Sequence, residues 1–417
     1  MKFGLEGITR LLAILDDPHR KFPAIHIAGT NGKGSTASML AAIFTAAGYK
    51  TGLYTSPHLV SFTERIRIDG RQISRRAVAR HVEALRQYIV RHEPTFFEAT
   101  TAIAFAHFAE SKVAIAIIET GLGGRLDSTN VVKPLASVIT NIGLEHTEIL
   151  GDTVGKIARE KAGIIKNRVP CIAGVSQAKA LSVIKNVCDK RNARLILASR
   201  INGSIRQMSL DHTTADVKVG GTSYRKLRLS LPGSFQLKNA ALAIATIQEL
   251  NRSGTFRITE RLIRSGLSRV QELTGLSGRL SLVWRNPRVI VDVAHNADGT
   301  KQLAASLRDL GLSNLILVFG VVKDKDFSTM ARALEPFARE VIAVAARTER
   351  SRLAGDVAAA FKLPPGRVTA ALSVQEGVRL ALQHSRQKTP ILITGSHYVA
   401  GEALEFLAEK KNLTINE

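Results

Sequence analysis

The feature that most constrains this chain is a strand that is apolar on both faces. "VAIAIIET" (113–120) carries β-branched and apolar residues at odd and even positions alike. Such a strand must be covered on both sides, as in a parallel sheet flanked by helices. The same motif returns with a turn and a helix after it. "AIHIA" (24–28) runs into a glycine-rich turn and the apolar helix "STASMLAAIFTAAG", and "LASVITNIG" (135–143) and "PCIAGV" (170–175) read as further strands. Between the last two, "TVGKIAREKAGIIK" (153–166) has helical spacing and ends near Gly163. Residues 200–231 alternate Thr, Ser, Lys and Arg with Val, Leu and Ile, an antiparallel pattern, and "FQLKNAALAIATIQEL" (235–250) follows as a helix.

A second strand–helix series begins after about residue 274. Its strands are "RVIVDVA" (288–294), "LILVFGV" (315–321), "EVIAVAA" (340–346) and "PILITGS" (390–396). The chain is therefore α/β, with parallel sheets in both halves. A length of 417 residues suits two domains, divided as 1–274 and 275–417 near "QELTGLSGR" (271–279). Ligands of such sheets sit beyond the carboxyl ends of the strands.

The longest apolar stretch, Leu315–Val322, is far short of a membrane span, and the start "MKFGLEGITR" lacks a signal-peptide core. Cys171 and Cys188 lack disulfide or metal-site patterning. A cytoplasmic protein without a membrane partner is expected. The net charge of +23 attracts anions. The basic residues are scattered, and five Tyr and one Trp give few stacking platforms, so ATP and acidic metabolites are favoured over nucleic acid.

The turn after the first strand reads "GTNGKGST" (29–36). Ile27 stands where a strict G-x-x-x-x-G-K-[ST] loop has its first Gly, and Gly34 follows Lys33, so the loop is a shortened variant. Its physics still suits a phosphate. Gly29, Gly32 and Gly34 let backbone N–H groups converge on an anion, the next helix adds its N-terminal dipole, and Lys33 adds a charge. Ser35 or Thr36 can bond a phosphate oxygen.

Other residues gather at neighbouring strand ends. Ser56 and His58 flank Pro57 in "YTSPHL", which taken alone reads as a structural loop with a hydroxyl. Glu119 ends an apolar strand and needs a backbone donor or a cation; beside a phosphate loop, Mg²⁺ is the fitting cation. His146 is either structural or a ligand, and Lys161 reads as a surface lysine. In the second half Asp292, His295 and Ser396 lie just past strand ends, facing a shared cleft.

Together these segments resemble the dihydrofolate synthase/folylpolyglutamate synthase branch of the Mur ligase family, ATP-dependent amide-forming enzymes. The resemblance covers nearly the whole chain. It rests on "GTNGKGS" (29–35), "TSPHL" (55–59), "FFEATTAIAF" (96–105), "ETGLGGRLDSTN" (119–130), "IGLEHTEILGDTVGKIAREKAGIIK" (142–166), "SGRL" (277–280), "DVAHN" (292–296), "KDKDF" (323–327) and "TGSHYVAGE" (394–402). It implies an N-terminal P-loop-type ATPase domain with a mostly parallel sheet and a smaller C-terminal Rossmann-like α/β domain closing over ATP and glutamate. Thr30, Asn31, Gly32, Lys33, Gly34, Ser35, Asn239, Arg279 and Asp292 match nucleotide-contacting positions. Ser56, Glu119 and His146 match Mg²⁺ ligands. Lys161 matches a carbamylated lysine that helps bind a second metal ion. His295 matches a position at the closed cleft that stabilises transferred phosphate, and Ser396 one at the glutamate end. The pterin-bearing substrate is expected near Glu98 and at Leu126, Asp127 and Ser128. The implied reaction joins L-glutamate to dihydropteroate, to the γ-carboxyl of folate, or to both, through an acyl phosphate with release of ADP and phosphate, in a monomer. A Mur-type ligase with another acceptor, and a non-catalytic nucleotide- or nucleic-acid-binding protein, are the competing readings. The chain departs from the family at Val293, where relatives often have Gly, and before "MKFGLEGITRLL", where they usually have about one more helix lining the pteroate pocket.

Overall fold

The computed structural model describes residues 4–198, 202–385 and 389–415. Its first sheet has eight strands: β1 (Ala24–Ala28), β2 (Thr51–Tyr54), β3 (Ile66–Ile68), β4 (Arg71–Gln72), β5 (Ile115–Glu119), β6 (Ala136–Ile139), β7 (Cys171–Ala173) and β8 (Leu195–Leu197). Their order is β4-β3-β2-β5-β1-β6-β7-β8. The run from β2 to β8 is parallel, and β3 and β4 add an antiparallel edge.

Every residue of β1, β2, β5, β6 and β7 is buried, because the two faces serve different cores. Ile115 and Ile117 pack with Ile25, Ile27 and the helices Lys33–Ala46 and Gln236–Arg252. Ala116 and Ile118 point the other way, toward Phe105 and Phe108 of the helix Phe96–Glu110 and Leu11 of the helix Glu6–Ile14. This two-sided burial is why the strand is apolar at both parities.

β9 (Asn202–Met208), β10 (Thr213–Val219) and β11 (Thr222–Leu229) form the antiparallel sheet expected for 200–231; residues 200 and 201 lie outside the described ones. Ala215, Val217 and Val219 of β10 alternate with less buried residues and join the core beneath Gln236–Arg252.

The second sheet holds β12 (Ser281–Arg285), β13 (Arg288–Val291), β14 (Leu315–Phe319), β15 (Ala338–Ala343), β16 (Val368–Ala370) and β17 (Ile391–Thr394), in the order β12-β13-β17-β14-β15-β16. It is parallel except for β12, which pairs antiparallel with β13. It too is covered on both faces: Leu317 and Phe319 belong to one core, Ile316 and Val318 to another. Among the described residues no helix is long and apolar enough to cross a membrane.

Candidate active site between the two sheets

β1 ends at Ala28, and the chain turns into the helix Lys33–Ala46 with Gly32 at its N-cap. Gly29 and Gly32 have φ of 157° and 82°. A Cβ at Gly29 would collide with Thr140 Oγ1, and one at Gly32 with Asn239 Oδ1, so the loop needs both glycines. The segment after β6 holds the loop in place. Thr30 N donates to Asn141 O (3.0 Å), Asn31 N to Asn141 Oδ1 (2.7 Å), and Thr140 Oγ1 to Asn31 O (2.7 Å). Lys33 Nζ folds over the loop and donates to Gly29 O (3.1 Å) and Thr30 O (3.2 Å). Ser35 lines the cavity beside it, while Thr36 is fully buried and does not.

Lys161 overturns its reading as a surface lysine. It is buried, and its Nζ donates to the same Gly29 O, at 2.7 Å. The helix Val154–Ala162 turns its buried face, Ile157, Ala158 and Lys161, toward the sheet. Burial, reinforced by the nearby Lys33 charge, lowers the Lys161 ammonium to about 7.

Glu119, at the end of β5, is also buried. Its Oε2 accepts from Ser56 N at 3.2 Å. Burial pushes this carboxyl above its ordinary range, although Lys33, the Ser56 amide, Arg279 and Arg65 all pull the other way. His146 N-caps the short helix Thr147–Leu150 with φ 51°, and burial and the Lys325 charge keep its imidazole low.

The second sheet supplies the opposite wall. Past β13, Asp292 is buried and bonded on both oxygens: Oδ2 accepts from Leu280 N (2.9 Å) and Oδ1 from Ala294 N (2.8 Å). Arg279, partly buried, lies near the charges of Asp292 and Glu119. Ser396, past β17, caps the helix beginning at His397 by accepting from Val399 N (3.1 Å). His295 holds Val293 O with Nδ1 (2.9 Å) and lies against the tilted ring of His397, with ring centroids 4.7 Å apart.

Glu145, which the sequence reading missed, joins the walls. Its Oε1 accepts from Asn296 Nδ2 (3.1 Å) and lies 3.2 Å from His295 Nε2 and 3.7 Å from Lys325 Nζ. Asn296 Nδ2 also donates to Asn31 Oδ1 of the glycine loop (3.1 Å). Burial opposes the Glu145 charge, yet the His295 hydrogen bond and the surrounding cations hold its carboxyl far below the usual range. "GLEHTE" set Glu145 beside His146, but only the fold brings residues 295, 296 and 325 to it.

The cavity between the walls measures about 850 Å³, within the ~300–1,000 Å³ of small-molecule clefts. Thr30, Asn31, Gly32, Lys33, Gly34, Ser35, Ser56, Glu119, His146, Lys161, Asn239, Arg279, Asp292, His295 and Ser396 all line it. Glu98, Leu126, Asp127 and Ser128 are not brought to this lining. Glu98 closes a capping box, its Oε2 accepting from Thr95 N (2.8 Å) and Thr95 Oγ1 (2.8 Å). Asp127 accepts from Leu122 N (2.8 Å) and Thr129 N (3.0 Å), which fixes the turn after β5.

Comparison with known proteins identifies the family. The Mur ligase middle domain matches residues 27–247, and the Mur ligase glutamate ligase domain matches 278–397. The chain is 39% identical over 374 residues to the dihydrofolate synthase/folylpolyglutamate synthase of Bacillus subtilis, covering 86% of this chain and 84% of that one. It is 34% identical over 426 residues to a probable bifunctional folylpolyglutamate synthase/dihydropteroate synthase of Haloferax volcanii, covering 97% of this chain but only 48% of that one. The structure of E. coli FolC in complex with DHPP and ADP superposes with a TM-score of 0.87 at 29% identity, covering 99% of this chain and 94% of that one. The chain belongs to the Mur ligase family of ATP-dependent ligases, in its dihydrofolate synthase/folylpolyglutamate synthase branch.

Proposed function

We propose that this protein uses ATP to join L-glutamate to a pteroate- or folate-type carboxylate. The observation that carries the reading is one cleft with a glycine–lysine loop on one wall and a strand-end Asp292–Asn296 segment on the other, linked through Glu145. The FolC relative with DHPP and ADP supports a folate-type substrate beside the nucleotide. A carboxylate does not condense with an amine at neutral pH, because its oxygen leaves poorly. Transfer of the ATP γ-phosphoryl group gives an acyl phosphate and ADP. The α-amino group of L-glutamate then attacks, and the tetrahedral intermediate expels phosphate. Such transfer depends on positioned charge. Lys33 and the loop amides hold the phosphates, with Asn239, Arg279 and Asp292 around the nucleotide. His295 faces the transferred phosphate, and Ser396 the glutamate end. Residues 1–274 and 275–417 act as two domains closing over the reactants to keep water from the acyl phosphate.

The residues fit Mg²⁺. Glu119 and Ser56 offer the hard oxygen atoms it prefers, with His146 nearby. Burial outweighs the cations around Glu119, so this carboxylate is short of positive charge. When bound, the ion supplies that charge and neutralises the ATP phosphates. Lys161 is the candidate for carbamylation, since an amine lowered to about 7 exposes its lone pair to CO₂, forming a carbamate with release of a proton. That anion suits a second metal ion. An intact-mass spectrum without the CO₂ adduct at neutral pH counts against it. The pterin-bearing substrate is assigned to the side of Glu98 and residues 126–128. ATP and glutamate fit a cytoplasmic enzyme, and one chain supplying both walls fits a monomer.

The deciding experiment is phosphate release from MgATP and L-glutamate, with 7,8-dihydropteroate in one reaction and tetrahydrofolate in another. Release in the first marks folate synthesis, in the second tail extension, and in both a bifunctional enzyme. Silence in both overturns the folate reading.

A further inference from the structure

Away from the cleft, three side chains on a helix pair share no part in it. The helix Arg75–His92 carries His81, and the adjacent helix Phe96–Glu110 carries His107 and Glu110. His107 and Glu110 are three residues apart, so they share one helix face. One ring nitrogen from each histidine and one Glu110 oxygen lie within 4.8 Å of one another, and His81 Nε2 stands 3.5 Å from Glu110 Oε2.

Two ring nitrogens here make no hydrogen bond. His81 Nε2 and His107 Nδ1 are buried with no hydrogen-bond partner, and His81 as a whole is only 8% exposed. Leaving a buried polar atom unpaired costs about 1–3 kcal/mol, so two on facing helices need an explanation. Burial lowers both imidazoles. A neutral ring keeps the lone pair that a metal needs. The charged groups facing them are Glu110, Arg80 and Lys50. Arg80 holds Glu110 Oε2, but its side chain is 60% exposed and can withdraw into solvent.

We propose that His81, His107 and Glu110 form a divalent transition-metal site, of the kind that takes Zn²⁺, stapling these two helices together. Two imidazoles and a carboxylate suit Zn²⁺ better than the oxygen-seeking Mg²⁺. Bonds of about 2.0–2.1 Å in a tetrahedral shell set ligand atoms about 3.3 Å apart. The His81–Glu110 pair already has that spacing, and the remaining approach is on the order of 1 Å, within the reach of side-chain rotation. Half-exposed Glu110 leaves an entry path, and water completes the shell.

The test is a Co²⁺ titration of the full chain after chelator treatment, read by visible absorption, with Zn²⁺ competition. Wild type is expected to bind an equivalent with the intense bands of four-coordinate Co²⁺, displaced by Zn²⁺. His107→Ala and Glu110→Gln should lose those bands, while the cleft variant Glu119→Gln keeps them. Zn²⁺ should raise the Tm of wild type and leave that of Glu110→Gln unchanged. Glu110 is at the surface, so this variant tests the site even where His107→Ala folds poorly. Unchanged bands in Glu110→Gln, or no such bands in wild type, overturn the proposal.

Discussion

Glu119 and Asp292 stand at the ends of buried parallel strands, one on each side of the cleft, and burial raises the pKa of both. They differ in what holds them. Asp292 receives a backbone N–H on each oxygen, at 2.9 and 2.8 Å, and both bonds brace its own domain. Glu119 receives one, from Ser56 at 3.2 Å, and otherwise leans on the more distant charges of Lys33, Arg279 and Arg65. The same residue class at the same topological position thus does two jobs. Asp292 is held by backbone on both oxygens, and Glu119 on one, which leaves Glu119 the freer carboxylate for the ligand role proposed above. On the proposed function, the first wall carries the charges that act on the phosphates, and it is the reactive wall of the comparison.

Removing charge from the reactive wall should give the largest effects. Lys33→Ala is expected to lower phosphate release about 10²–10³-fold, the usual loss for one group that stabilises developing charge, with an unchanged circular dichroism spectrum. Wild-type turnover in this variant would refute the role given to Lys33. Glu119→Gln should also lose about 10²-fold or more, yet its Tm should rise. The sign follows from the raised pKa: above the unfolded-state value, folding must bury a charge, and a neutral isostere removes that cost. A Tm that falls as activity falls would make Glu119 a structural residue.

Asp292→Asn sharpens the comparison from the other side. The amide nitrogen cannot accept, so one of the two backbone N–H groups loses its partner. The expected cost is about 1–3 kcal/mol, seen as a lower midpoint in urea with an unchanged slope. An unchanged midpoint would place the importance of Asp292 in the ligand instead.

The strands that carry these residues were legible because two-sided burial forces continuous apolar runs, as in β5 and β14. β12 and β16 were not. β12 is an antiparallel edge strand joined to β13 across Asn286-Pro287, where the turn dipeptide was overlooked. β16 is a three-residue edge strand, mostly exposed, with no apolar run to show it. Among site residues, the glycine loop was readable because backbone shape demands particular residues. Glu145 was not, since its importance comes from His295, Asn296 and Lys325, far away in sequence. Lys161 shows the same limit. Its helix has ordinary amphipathic spacing, and nothing local tells that the lysine lies on the buried face.

That buried lysine gives the smallest and most specific expectation. The Lys161 ammonium keeps its proton up to about 7 in the folded protein and up to its ordinary 10.5 when unfolded. Between these values the unfolded chain binds more protons than the folded one, so this group makes stability climb as pH rises. Its contribution is complete above the unfolded value and is lost as pH falls through about 7. Lys161→Met removes the titrating group while keeping an unbranched chain of similar length. The urea midpoint of wild type should therefore rise more steeply than that of Lys161→Met between pH 7 and 9, with CO₂ excluded so that carbamylation does not contribute. Parallel slopes would mean that the Gly29 carbonyl, which accepts from Lys161 at 2.7 Å, compensates the buried ammonium. Lys161 would then belong with Asp292, as a charge settled by backbone, and the reactive wall would rest on Lys33 and Glu119.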